Sequence, residues 1–274
     1  MMNHFENVDP KQLFGDYMKI TGVPFIGPVT TGEEGLIGKK LGVVNGSSWV
    51  SLWSTFFGKK ILPGVKVINV GNEAVQLNFM EAHHRGEDCP PQINIDLFSS
   101  YAVDLFHLQK VDAVLISCST MNRAFRQVSK KMKEFNVPVV QIDEAMMEEA
   151  VNSNGKILVI ATHGPTVQST QDLLEETADR LNKKVDFVGA TVEEAFEKLG
   201  AGDIEGHNKI IKRAIEENLS KEKVDVVVLA QLSMSVFSFS HPDPVKDFGV
   251  PVLNSGETGF RQVGEILKAQ GTSA

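Results

Sequence analysis

The sequence predicts an α/β fold of two similar halves, each a parallel sheet flanked by helices, with a cleft between them. Short β-branched runs alternate with longer charged segments of helical period, the pattern of repeated β-α units. Several of the short runs are apolar on both faces, as strands covered by helices on both sides must be. A stretch beginning at Val111 also returns 113 residues later, which predicts two related halves.

Eight apolar runs are the predicted strands. In order they are Leu41 to Val44, Val65 to Val70, Ala113 to Ser117, Pro138 to Ile142, Lys156 to Ala161, Val185 to Ala190, Val226 to Ala230 and Pro251 to Ser255. Amphipathic stretches such as NRAFRQVSKKMKEF separate them and predict helices in right-handed crossovers. Before the first strand, Asp9-Pro10 predicts a helix start, and residues 21–38 are glycine-rich and predicted irregular.

The internal repeat is ungapped. Val111-Asp112 matches Val224-Asp225, and FNVPVVQIDE from Phe135 matches FGVPVLNSGE from Phe248 at the same offset of 113. Any two β-α units share apolar strands, but a common register over this length indicates more than that. The repeat predicts pseudo-twofold symmetry with a site between the halves.

Composition limits the function classes. The chain has 274 residues, of which 42% are hydrophobic and 23% charged, enough for one large or two modest domains. A net charge of -8 without a basic stretch gives no support to a nucleic-acid or anionic-membrane partner. No apolar run approaches the ~20 residues of a membrane span, and the first residues lack a secretory pattern. Two cysteines form no disulfide framework, so we expect a cytoplasmic protein.

Loops that follow parallel strands are where such sheets bind ligands, and free N–H groups there favour anions. Four predicted loops are small and hydroxyl-rich: Asn45 to Ser48, Cys118 to Thr120, Thr162 to Thr166, and Gln231 to Ser233. Residues of this kind are also ordinary helix caps. Their equivalent places in two halves favour a carboxylate-binding role.

Cys118 ends a buried strand where a helix is predicted to begin. A helix N-terminus favours the thiolate, so we expect the Cys118 pKa to be lowered. A group of that kind is prepared to act as a general base or nucleophile. The alternative is a small buried apolar side chain.

Four segments carry a family resemblance: LISCSTMN, ATHGPTVQS, VVLAQLSMS and VPVLNSGETG. In this order and spacing, from about Lys40 to Leu267, the chain resembles the aspartate/glutamate/hydantoin racemase superfamily, which includes maleate isomerases and arylmalonate decarboxylases. The resemblance implies two facing α/β domains and no cofactor. It also makes a homodimer the expected assembly. We accordingly expect a first domain of residues 1–142 plus a C-terminal helix 256–272, and a second domain of residues 143–255.

Racemases of that family place one cysteine in each half, on opposite sides of the substrate α-carbon. Cys118 falls on the first of these positions, while the repeat places Gln231, which does not titrate, on the second. The resemblance assigns the other positions to the substrate, a small amino acid or related carboxylic acid. They are Ser47 and Ser48, Ser119 and Thr120, Thr162 and Thr166, with Gln231 and Ser233 as further contacts.

Without a second cysteine, three functions stay open. In the first, His163 is the second base of a racemase or epimerase, since an unperturbed imidazole titrates near pH ~6.5; Ser233 and His241 are weaker candidates. In the second, Cys118 alone serves a decarboxylase or cis-trans isomerase of a small diacid, with Gln231 stabilising an enolate-like charge. In the third, the cleft binds a carboxylate without catalysis. A base facing Cys118 would favour the first.

The other motifs of the sequence do not indicate a metal or a nucleotide cofactor. The stretch from Glu81 to Cys89 holds two histidines, two acids and a cysteine, but its spacing fits no standard zinc pattern, so no metal is expected. It could form a lid over the cleft. No phosphate-binding glycine motif follows a strand, so no nucleotide cofactor is expected. Trp49 opens the helix after the first strand and could shape the pocket.

Overall fold

The protein is described by a computed structural model that covers residues 8–22 and 29–270. Residues 271–272 of the predicted C-terminal helix and part of the glycine-rich stretch lie outside these ranges. The first helix begins where Asp9 predicts it, because the Asp9 carboxylate accepts a hydrogen bond from the Lys11 backbone N–H at 2.9 Å.

All eight predicted strands form, within one or two residues of their expected ends. They are β1 Lys40–Asn45, β2 Lys66–Gly71, β3 Ala113–Ile116, β4 Val139–Gln141, β5 Lys156–Ala161, β6 Asp186–Thr191, β7 Val226–Leu229 and β8 Val252–Asn254. Their apolar side chains are buried under helices on both faces, except in the more exposed strands β2 and β6.

Helices connect the strands. They are α1 Pro10–Thr21, α2 Ser48–Ile61, α3 Glu73–His84, α4 Gln92–Gln109, α5 Phe125–Met132, α6 Glu144–Asn152, α7 Gly164–Arg180, α8 Glu193–Gly200, α9 Ile204–Lys221, α10 Phe237–Ser240, α11 Pro244–Phe248 and α12 Ser255–Ala269. Short 3-10 helices cover Ser119–Ala124, Lys133–Phe135 and Leu232–Val236. None of the helices within the described ranges is long and apolar enough to cross a membrane.

The strands form two four-stranded parallel sheets with the same topology, β2-β1-β3-β4 and β6-β5-β7-β8. The Val-Asp pairs of the sequence repeat explain part of the similarity between the two sheets. Asp112 accepts a hydrogen bond from the Lys40 N–H at 2.7 Å, and Asp225 accepts one from the Lys156 N–H at 2.8 Å. Each aspartate therefore ties its loop to the first residue of the central strand. The predicted two-half architecture is confirmed.

Helix α12 returns the chain to the first sheet. Phe260, Val263 and Leu267 are buried in one apolar cluster with Leu41 and Leu115, which belong to β1 and β3. The helix also packs against α2 and α6. The domain limits at residues 142/143 and 255/256 stay a prediction.

Candidate active site

A cavity of about 60 Å³ lies where the carboxyl ends of the two sheets meet. Both halves contribute to it through the loops that follow β1, β3, β5 and β7. Its lining residues are Ser47, Trp49, Val50, Gln76, Ser117, Cys118, Ser119, Thr120, His163, Phe196, Gln231, Leu232 and Ser233. Because the N-termini of α2 and α7 also begin here, free backbone N–H groups face this region.

Cys118 is the residue between β3 and the 3-10 helix Ser119–Ala124, and only 7% of its surface is exposed. Its Sγ lies 3.1 Å from the Thr120 hydroxyl and 3.8 Å from Oε1 of Gln76. The Thr120 hydroxyl in turn donates to the same Gln76 oxygen at 3.2 Å. The thiol is therefore held in a defined position by two polar side chains.

The predicted lowering of the Cys118 pKa is wrong. Burial raises the pKa of the thiol above its ordinary value, although hydrogen bonds from Thr120 and from the backbone N–H groups of Gly46 and Met121 act in the opposite direction. The prediction assumed a regular helix N-terminus, whereas the 3-10 helix departs from helical geometry at Met121, with φ −103° and ψ 15°. At neutral pH, Cys118 is a protonated thiol whose thiolate the neighbouring N–H groups can stabilise.

Gln231 occupies the equivalent position in the second half, before the 3-10 helix Leu232–Val236. Its Oε1 accepts hydrogen bonds from the Thr162 N–H at 2.7 Å and from the Thr162 hydroxyl at 2.8 Å. The backbone donor requires that the atom facing Thr162 be the oxygen, which leaves the NH₂ group of Gln231 as the donor available to the cavity.

His163 occupies the N-cap position of α7, where its side chain makes no capping hydrogen bond, and it lines the same cavity as Cys118. Its ring packs edge-on against Phe196, with 4.7 Å between ring centroids. Burial lowers the pKa of His163, and the charge of Glu193 opposes this only in part. The imidazole is therefore neutral at physiological pH and has the chemistry of a general base.

The predicted substrate-binding hydroxyls divide into two groups. Ser47, Ser119, Thr120 and Ser233 line the cavity. Ser48, Thr162 and Thr166 do not: Ser48 donates to the Glu73 carboxylate at 2.5 Å, Thr162 is buried behind Gln231, and Thr166 lines an adjoining space.

That adjoining cavity of about 360 Å³ shares Thr120, His163 and Phe196 with the inner one. His83 and His84, at the end of α3, form part of its wall. A small group bound at Cys118 can thus extend outward past His163 into a larger space.

The inner cavity is uncharged. Among its described lining residues there is no lysine, arginine, aspartate or glutamate, the thiol is protonated and the imidazole is neutral. An anion bound there depends on hydroxyl, amide and backbone N–H donors.

Gln76 and Phe196 belong to the site and were not predicted. Gln76 lies inside α3 and Phe196 inside α8, each within an ordinary amphipathic pattern. No local sequence signal distinguishes them, since only the packing of their helices over the strand ends brings them to the cavity.

A family model described as Asp/Glu/Hydantoin racemase matches residues 85–263, more than half of the chain. The chain belongs to the Asp/Glu/hydantoin racemase family. The matched segment of this racemase-family protein includes Cys118, His163 and Gln231. A comparison with curated proteins by sequence found no match.

Solved structures share the fold. An aspartate racemase homologue from Pyrococcus horikoshii has a TM-score of 0.62 at 19% identity, over 84% of this chain and 99% of its own. Glutamate racemase isoform RacE1 from Bacillus anthracis has a TM-score of 0.60 at 19% identity, over 86% and 84%. Allantoin racemase from Klebsiella pneumoniae has 0.57 at 15% identity, over 85% and 89%. These TM-scores show that the chain has the fold of these racemase structures.

Proposed function

We propose that this protein is a cofactor-independent racemase or epimerase of a small amino acid or related carboxylic acid, with Cys118 and His163 as its two acid–base groups. One observation carries the proposal: the two side chains come from different halves and line a single cavity. Racemisation needs proton transfer on both faces of a planar intermediate, and this pair can supply it although Gln231 replaces the second cysteine.

The resting protonation states set the direction of the first step. Neutral His163 accepts the α-proton, and the electron pair of the broken C–H bond passes into the carboxyl group as an enediolate. The S–H of Cys118 then donates its proton to the opposite face of the α-carbon. The products are a thiolate and an imidazolium, which return to thiol and imidazole by proton exchange with water. The opposite enantiomer reacts from the thiolate–imidazolium form.

The substrate carboxylate would be held by neutral donors. Thr120 and Ser233 line the cavity with hydroxyl groups, and the NH₂ group of Gln231 is already oriented by Thr162. The carboxyl oxygens carry more negative charge in the enediolate than in the substrate. Donors that are fixed in place before the reaction therefore stabilise the enediolate more than they stabilise the substrate. In this proposal Gln231 is an oxyanion donor.

A second candidate is one-thiol chemistry on a small diacid, namely decarboxylation followed by protonation, or cis-trans isomerisation. The raised pKa of Cys118 favours it, because a buried protonated thiol is suited to protonating a carbanion. The third candidate is a carboxylate-binding protein without catalysis, which Gln231 in the second cysteine position favours. A homodimer and a cytoplasmic location remain predictions.

The experiment that tests the proposal is proton NMR in heavy water with L- and D-amino acids, hydantoins, maleate and small malonates. We expect one class to lose its α-proton signal with inversion, in the wild type and in the control variant Cys89→Ser. Cys118→Ala and His163→Gln should each abolish inversion.

The other outcomes separate the candidates. Exchange without inversion, release of carbon dioxide or isomerisation of maleate indicates the one-thiol chemistries. Ligand binding without any reaction indicates a carboxylate-binding protein. Inversion that persists in Cys118→Ala contradicts the proposal.

A further inference from the structure

A buried carboxyl group lies directly behind the turn that carries Cys118. Asp143 follows β4, and only 2% of its surface is exposed. The Asn122 side-chain amide donates to its Oδ2 at 3.0 Å. The hydroxyl groups of Ser119 and Ser255 face the same carboxyl group. Asp143 therefore lies against both the turn after β3, where it is hydrogen-bonded to Asn122, and the first residue of α12.

The two halves differ at this point. The repeat pairs Asn122 with Ser235 and Asp143 with Gly256. In the second half the connection is made by the backbone, because the Gly256 N–H donates to the Ser235 hydroxyl at 3.1 Å. A Cβ atom at Gly256 would lie 2.8 Å from that hydroxyl oxygen and 2.9 Å from the Phe57 ring, so no acid fits there. The buried acid, Asp143, is therefore present only in the half that contains Cys118.

Among the residues that the structure describes, no cation compensates for the burial of Asp143. The groups that face its carboxyl are neutral: Ser119 and Asn122 in the turn, and Ser255 on α12. Of the charged neighbours in sequence, Arg123 pairs with Asp172 and Glu144 pairs with Arg180. A buried carboxylate with only neutral partners is unfavourable for folding, and groups of this kind concentrate at functional sites.

We propose that ionised Asp143 is a positioning residue that holds the turn Ser119–Asn122, and with it the Cys118 thiol, in its buried position at the cavity, where bulk reagents reach it slowly. A carboxylate can accept from Asn122, Ser119 and Ser255 together. Protonation turns one oxygen into a donor, and the turn loses an acceptor. The inference rests on the proposed function in treating Cys118 as the reacting group.

The test measures thiol reactivity and needs no substrate. Iodoacetamide alkylation is followed from pH 5 to pH 8.5 in Cys89→Ser protein, in which Cys118 is the only thiol. For a simple thiol below its pKa, the logarithm of the rate rises with pH at a slope of one, because the thiolate reacts. Burial raises the pKa of Asp143 to about 6. We therefore expect a bend near that pH, with faster alkylation per thiolate on the acid side, where the turn is released.

Asp143→Asn should give a straight line without the bend and should react several-fold faster than Cys89→Ser protein at pH 8. Asn122→Ala, which keeps the carboxyl but removes its donor, should also react faster at pH 8. If Asp143→Asn does not fold, the rate of Asn122→Ala and the pH profile of the Cys89→Ser protein together test the inference. Asp112→Asn, which alters a carboxylate hydrogen-bonded to the amino end of the same sheet, is the matched control and should keep the bend.

A bend that persists in Asp143→Asn, or a parent profile without one, overturns the inference. Because alkylation does not depend on turnover, a failure here is distinct from a failure of the proposed racemase function. If Asp143 positions the thiol as inferred but the NMR panel shows no inversion, only the assigned reaction is contradicted.

Discussion

The side-chain oxygen of Gln231 accepts both the backbone N–H and the hydroxyl of Thr162, at 2.7 Å and 2.8 Å. These two hydrogen bonds fix the Gln231 carboxamide in one orientation and join the loop after β7 to the loop after β5. It also means that the Gln231 side chain can offer the cavity only hydrogen-bond donors.

Gln231→Glu tests that assignment. The two Thr162 donors would stabilise an ionised carboxylate, so the variant would carry a negative charge in a cavity whose described lining residues are otherwise neutral. We expect carboxylate ligands to bind at least tenfold more weakly, about 1.4 kcal/mol, as measured by calorimetric titration. Gln92→Glu, on an exposed position of α4, is the control and should bind like the wild type. Undiminished binding by Gln231→Glu would remove Gln231 from the carboxylate site.

The pKa of His163 is lowered by burial against Phe196. A lowered pKa keeps the imidazole neutral on the acid side of pH 6.5, so base-dependent exchange should fall only below that pH. Phe196→Ala admits water and should move the His163 pKa upward, which NMR titration of the imidazole can follow. Phe248→Ala, which alters the ring beside His241, should leave the His163 titration in place. A His163 pKa unmoved by Phe196→Ala would contradict this explanation.

Trp49 should report ligand binding. It lines the inner cavity at 6.5 Å from Phe196, whereas Trp53 packs against the apolar core of the first half. Filling the cavity changes the solvation of Trp49 alone, so its fluorescence should shift on ligand addition. Trp49→Phe should abolish the signal and Trp53→Phe should retain it. A signal that is kept in Trp49→Phe and lost in Trp53→Phe would place the ligand outside this cavity.

Asp143 should make stability depend on pH. Its pKa is raised in the folded state from 3.8 to about 6, so folded protein binds more protons than unfolded protein between these values. The free energy of unfolding therefore falls as pH rises through this window, by on the order of 3 kcal/mol. Asp143→Asn should lack this dependence and be more stable than the wild type at pH 8, with the difference shrinking toward pH 4. Urea denaturation at both pH values measures it.

A less stable Asp143→Asn at pH 8 would show that the carboxylate contributes more to folding than its burial costs. Asp225→Asn is a suitable control, since the Asp225 pKa is lowered and its carboxylate is not buried among neutral groups.

The sequence was sufficient for the strands and for the repeat, because parallel strands buried on both faces leave continuous apolar runs. Cys118 and Gln231 were placed opposite each other for the same reason, since the register of β3 and β7 follows from the repeat. The protonation state of Cys118 was not predictable. It depends on how deeply the thiol is buried, which is a property of the assembled halves.

The roles of the hydroxyl groups were also beyond the sequence. Thr162 and Ser119 both lie in the hydroxyl-rich loops that follow strands, yet Thr162 holds Gln231 and Ser119 lines the cavity. Which way each side chain turns depends on partners distant in the chain, and Gln76 reaches Cys118 because α3 places it beside Gly46, just after β1.

The chain passes between the halves twice, after Gln141 and after Asn254, and the two passages meet where Ser255 faces Asp143 and where α12 rests on the backbone of Ile142. Two connections in contact have the geometry of a single hinge between the sheets. A swing of one half about that point changes few backbone angles, whereas a sliding movement would disturb both connections at once. Where the halves swing in this way, the spacing between Cys118 and His163 changes while Asp143 stays at the hinge.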